Sequence, residues 1–114
     1  MELRILRADD EVTHLALAGR LDMVGVHEIR ERFNRETVGR GRPVVLDLSE
    51  VTFTASLGIE MLILTSKALG ALGVGMVALR PQEMVEKVLR ITGIEEIIPI
   101  TRDPDEALKL AVRC

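Results

Sequence analysis

The sequence predicts a single α/β domain spanning residues 1–114, with a mixed central sheet of four to five strands and about four helices packed on it. Three observations predict it. Short runs rich in Val, Ile and Leu alternate with stretches whose apolar residues recur at helical spacing, in the order ββαβαβαβα. The links are short, with no repeat, low-complexity segment or interdomain linker. The 114 residues are 47% hydrophobic and 29% charged, which suits one globular core. With two Phe and no Trp or Tyr, that core must be filled by Leu, Ile, Val and Met.

Leu3 to Ala8 and Val12 to Ala18 read as strands joined by the polar turn Asp9-Asp10-Glu11, a hairpin in which Thr13, Leu15 and Leu17 share a face. Gly19-Arg20-Leu21-Asp22 leads into a helix capped by Asp22, with Met23, Val26, Ile29 and Phe33 spaced toward the core. Its outer face carries Glu28 with Arg32 and Glu31 with Arg35 as i,i+4 pairs. Gly39-Arg40-Gly41-Arg42-Pro43 breaks the chain and reads as a surface loop. Val44, Val45, Leu46 and Leu48 then form a strand buried on both faces, expected to end between Asp47 and Ser49. The turn Thr54-Ala55-Ser56-Leu57-Gly58 starts a helix running from about Ser56 to Leu72.

Gly70, Gly73 and Gly75 close that helix and lead to Met76–Leu79, a further buried strand. Pro81 opens the next helix, whose stripe is Val85, Val88, Leu89 and Thr92 and whose stop is Gly93. Ile97-Ile98-Pro99-Ile100 reads as a short edge strand because of its proline. Asp103-Pro104-Asp105-Glu106 combines an N-cap, an N1 proline and a capping-box glutamate, and Leu108, Ala111 and Val112 pack the last helix down.

Two properties single out the central helix. Ile59, Leu62, Ile63 and Leu69 share one face, while Leu57, Met61, Leu64, Ala68 and Leu72 share nearly the opposite one. A second apolar face means either a helix wedged deep among other elements or a surface for a partner. Glu60 and Lys67 lie on the polar seam between the stripes, and Ser56 opens that seam. A helix start receives an anion readily, through its unpaired N–H groups and the positive end of its dipole. Ser56 is therefore either a phosphate acceptor or a plain N-cap.

Composition excludes several classes. Net charge is −3 and aromatic stacking platforms are lacking, which argues against nucleic acid. No apolar run reaches the roughly 18 residues needed to span a bilayer, and Met1-Glu2-Leu3-Arg4 does not begin a secretory signal. The single cysteine, Cys114, cannot form an internal disulfide, so a reducing, cytoplasmic setting and an incidental exposed thiol are expected. The segment around Ser56 lacks the first glycine of a nucleophile elbow, and both histidines, His14 and His27, precede it. Neither histidine has metal-ligand spacing. The three glycines follow a helix instead of opening one, so no phosphate loop is present, and Asp47 lacks the acidic cluster of a phospho-acceptor site. No catalytic residue, metal or cofactor is expected, and the chain does not read as an enzyme.

Asp47-Leu48-Ser49-Glu50-Val51-Thr52-Phe53 followed by Thr54-Ala55-Ser56-Leu57-Gly58-Ile59 resembles the signature of the STAS domain, specifically the bacterial anti-sigma factor antagonists. Gly19-Arg20-Leu21-Asp22 and Gly93-Ile94 leading to Ile97-Ile98-Pro99-Ile100 match in order, so the resemblance covers essentially the whole chain. It implies a small non-catalytic binding module. Such antagonists bind a serine-kinase anti-sigma factor, which then frees its sigma factor. The kinase phosphorylates a serine at the start of the central helix, which weakens the complex, and a phosphatase reverses the change. By motif position that serine is Ser56, with Asp22, Thr54, Ala55, Leu57, Gly58 and Met61 forming or bordering the docking surface. Asp22 serves equally as an N-cap, and Leu57 and Met61 equally as core. The chain departs from the family motif at Ala55, usually aspartate, and at Glu60, often glycine. The alternative implied is a non-phosphorylated STAS subunit of a membrane transport or lipid-trafficking complex. The second stripe of the central helix would also suit a homodimer.

Overall fold

Strands β1 (Glu2–Ala8), β2 (Thr13–Leu21), β3 (Val44–Thr54), β4 (Met76–Leu79) and β5 (Ile100–Thr101) form one sheet in the order β1-β2-β3-β4-β5. β1 is antiparallel to β2, and every later neighbour pair is parallel. Parallel neighbours need crossovers, and these are α1 (Met23–Glu36), α2 (Ser56–Ala71) and α3 (Glu83–Ile91). A 3-10 turn at Ile94–Glu96 leads to β5, and α4 (Pro104–Arg113) follows it. This computed structural model describes the backbone of residues 1–113 and the side chains of residues 1–112; Cys114 lies outside the described residues.

The alternation of β3 builds two hydrophobic layers. Val44, Leu46 and Leu48 point with Leu15 and Leu17 of β2 toward α1, α2 and α3, which contribute Val26, Ile29, Phe33, Ile59, Leu62, Leu69, Val85 and Leu89. Val45 points the other way and joins Val12, Val77 and Leu79 beneath Ala107 and Ala111 of α4. The expected class, a mixed sheet covered by helices, is the observed one.

The details differ from the sequence reading in several places. β3 does not end near Ser49 but continues to Thr54, paired with β2 as far as Leu21. β3 carries one extra residue between Asp47 and Glu50 and another between Val51 and Phe53. Such bulges bend and twist a strand, and exposed Ser49 and Glu50 made this one look like a strand end. β4 pairs only with Val44 to Asp47, so the tips of β2 and β3 run on beyond it. There the Arg20 guanidinium stacks over the Phe53 ring, 4.3 Å from its centroid.

Met23, expected in the core, is 70% exposed, because the buried face of α1 begins at Gly25 and Val26. The outer pairs of α1 are replaced: Arg32 donates to the Leu3 carbonyl at 2.9 Å and Arg35 approaches Glu36. α3 starts at Glu83 after an extended Gln82, so Pro81 belongs to the loop; Gln82 Nε2 instead donates to the Ser49 carbonyl at 2.9 Å. Of the expected last strand only Ile100 lies in β5, which runs on to Thr101, since Ile97 and Ile98 turn their N–H groups back to the Ile94 carbonyl and Pro99 has none. Val112 is exposed, while Ala107 takes the buried place on α4. The outer edge of β1 is interrupted twice, by Arg32 on the Leu3 carbonyl and by a bulge at Leu6.

On the α4 side of the sheet, His14 pairs across the hairpin with Arg7, near the Asp47 carboxylate and the Arg80 guanidinium, which lie 3.6 Å apart. Asp105 lines the same depression. The Nε2 atom of His14 is buried without a hydrogen-bond partner. Burial pushes the His14 pKa down, and Arg80 and Arg7 act the same way against Asp47. The unfolded chain then binds the proton more readily than the folded one. The contribution to stability is complete above the unfolded value of about 6.5 and is lost as pH falls below it. His14→Gln is therefore expected to flatten the loss of stability between roughly pH 7 and 5 in urea titrations. An unchanged slope would show that His14 does not govern it.

Candidate functional site

α1 and α2 both begin at the protruding tips of β2 and β3, side by side. The Ala55 N–H donates to the Leu21 carbonyl at 3.0 Å, so Asp22 and Ser56 each directly follow one member of a hydrogen-bonded pair. Asp22 caps α1: its Oδ1 accepts from the Gly25 N–H at 2.9 Å and its Oδ2 from Arg20 Nε at 3.2 Å. The Gly25 N–H above all, with Arg20, holds the carboxyl below the usual carboxylate range.

α2 begins differently. Its N-cap is Ala55, which has no side-chain oxygen to offer, and its first turn has no acidic residue. Ser56 is the first helical residue and not the cap, which removes the plain N-cap reading of it. Its side chain is exposed at the uncompensated positive end of a helix of 16 residues. Gly58 fixes the position of that end. A Cβ built there would stand 2.7 Å from both the carbonyl oxygen and the Cγ of Leu21, closer than carbon atoms tolerate. Only glycine lets α2 rest directly on the tip of β2.

Of the residues expected around Ser56, Asp22, Ala55 and Leu57 are half-buried, whereas Thr54, Gly58 and Met61 are buried. The buried ones shape the site from beneath, and the Oγ1 of Thr54 has no hydrogen-bond partner. A shallow depression runs from Thr54, Ala55 and Ser56 past Ile59 to Val88 of α3 and Thr92, the residue that caps its end. A second, between α1 and α2, is lined by Leu57, Met61, Leu64 and Ala68.

Exposed apolar residues lie on the elements that meet here: Met23 and Val24 at the start of α1, Phe53 on β3, and Met84 and Ile91 on α3. The sequence reading did not include α3 in the site. The signal was available, because Met84, Val88 and Ile91 recur at i, i+4 and i+7 as a second stripe beside the core-facing Val85 and Leu89. Among the described residues no group of three or more His, Cys, Asp or Glu could hold a metal ion, and no helix is long and apolar enough to cross a membrane.

The STAS domain family model matches residues 4–107. An anti-sigma factor antagonist from Mycobacterium paratuberculosis is 26% identical, with a TM-score of 0.79 over 99% of this chain and 96% of that one. The Bacillus anti-sigma factor antagonist SpoIIAA, solved in unphosphorylated and phosphorylated forms, has the same fold. Its unphosphorylated form is 20% identical, with a TM-score of 0.76 over 96% of this chain and 95% of its own. The fold also occurs within the murine anion transporter Slc26a9, at 18% identity and a TM-score of 0.77 over 95% of this chain and 19% of that one. A family match over nearly the whole described length, on a sheet and helices of the same arrangement, makes this chain a member of the STAS domain family.

Proposed function

We propose that this chain is an anti-sigma factor antagonist that binds a serine-kinase anti-sigma factor, freeing its sigma factor, and that phosphorylation of Ser56 switches it off. The observation that carries the reading is an exposed serine at the unneutralised start of α2, set within apolar surface from α1 and α3. Ser56 Oγ accepts the γ-phosphoryl group of ATP and gives up its proton to the kinase, with ADP leaving. A phosphatase hydrolyses the ester. Asp22 and Leu57 border the docking surface, and Thr54, Gly58 and Met61 hold the α2 start in place beneath it. The domain contributes a surface and a hydroxyl, and no catalysis of its own.

A single aspartate-to-alanine departure beside the serine, Ala55, supports a second reading: a STAS subunit of a membrane transport complex in which Ser56 stays unmodified. The two part in one experiment. The protein is incubated with ATP and a kinase-type anti-sigma factor from the same genome, and intact mass and site mapping are recorded beside Ser56→Ala. One phosphate, on Ser56 and absent from the variant, is the expected result. Neither binding nor phosphate with any encoded kinase of this type would favour the transport subunit.

A further inference from the structure

We propose that the groove between α1 and α2 is a contact between two copies of this chain, paired about a two-fold axis. The groove is an open depression of about 240 Å³ whose apolar lining includes Met61 and Ala68. Leu64 stands on its wall, 56% exposed. Arg30 of α1 and Glu60 of α2 also line it.

The charges identify the occupant. Arg4, Arg7, Arg20, Arg35, Arg40, Arg42, Arg80, Arg90 and Arg102 are all ion-paired, and Arg32 donates to the Leu3 carbonyl. Among the described arginine side chains only Arg30 has neither kind of partner, and Glu60, on the facing helix, has none either. The groove thus holds one cation and one anion that do not meet each other, in a lining that also carries apolar residues and the uncharged polar Asn34 and Thr65. A foreign protein would have to bring both signs in the right places. A second copy brings both by symmetry, because a two-fold axis that sets Arg30 against the partner subunit's Glu60 sets Glu60 against the partner subunit's Arg30. Leu64 of each copy then seats in the other's groove, covering a leucine that is otherwise in water.

The inference does not depend on phosphorylation of Ser56. The test is sedimentation equilibrium of the full chain from about 10 μM to about 1 mM. A reversible monomer–dimer equilibrium is expected. Arg30→Glu and Leu64→Glu should each weaken it at least about tenfold, roughly 1.4 kcal/mol. Arg30→Glu combined with Glu60→Arg should restore it. These side chains are exposed, and circular dichroism checks that the variants fold. A Leu64→Glu protein that failed to fold would leave the charge exchange as the deciding measurement. A monomer throughout the range, a dimer indifferent to Arg30→Glu, or a double exchange that fails to rescue would each overturn the proposal. So would a monomer that loses kinase binding in Leu64→Glu, since the groove would then belong to that partner.

Discussion

Protein carrying a phosphate on Ser56 is expected to bind its anti-sigma kinase at least about a hundredfold more weakly than unmodified protein, a difference of roughly 2.7 kcal/mol. Its melting temperature should stay within a few degrees of the unmodified value. Both expectations come from the same geometry. Within the molecule the phosphate lies at the positive end of α2, where the dipole favours an anion. The fold therefore has no reason to loosen. At an interface the same group brings about −1.5 to −2 charge into an apolar depression next to Ile59 and Val88, where it must be desolvated. Ser56→Asp, with a single charge on a shorter arm, should give a smaller loss. Calorimetric titration of both forms, with a thermal melt of each, checks the pair of expectations. Equal affinity would remove the switch; weaker binding with a collapsed melting temperature would move the effect from the interface to the fold.

Gly58→Val is expected to lower stability by about 3 kcal/mol and the melting temperature by roughly 10 °C. A side chain at position 58 meets the backbone oxygen of Leu21 at 2.7 Å, and a carbonyl in a paired strand cannot swing aside as a flexible side chain can. Either α2 lifts at its start or β2 gives way. Gly58→Ala should cost less, because alanine recovers up to about 1 kcal/mol of helix propensity over glycine. If Gly58→Ala instead raised the melting temperature, the contact between α2 and β2 would be looser than the structure has it. Gly58→Ala that folds but binds the kinase poorly would locate the effect at the displaced Ser56. Urea unfolding and kinase titration on the same preparations separate these outcomes.

Much of the arrangement was legible because local chemistry and burial agree. Val44-Val45-Leu46 alternates between two layers, and Asp103-Pro104 marks a helix start that the structure keeps, with Asp103 Oδ1 accepting from the Asp105 N–H at 3.0 Å. Where reading failed, pairing overrode pattern. Polar Ser49 and Glu50 resemble a strand end, yet β2 continues alongside and carries β3 on to Thr54. Ser56 resembles an N-cap by residue type, but the cap is set by the backbone of Ala55. Met23 has helical spacing to Val26 yet stands one turn ahead of where the buried face begins. The role of Gly58 is invisible in one dimension, since it depends on Leu21, a residue on another strand. The unpaired state of Arg30 depends in the same way on what lies around it in space.

The two ends of the sheet bear on how far any assembly can grow. An unguarded outer strand lets each added chain expose a fresh copy of the same edge, so that pairing propagates into fibres. Here the Arg32 guanidinium occupies a carbonyl of β1 and the bulge at Leu6 breaks its register, while β5 at the far side has only two paired residues. Contacts made through helices about a two-fold axis consume the surface that makes them. Self-association through them therefore stops at a pair, and the amount of unpaired chain stays governed by its concentration, not by polymer growth.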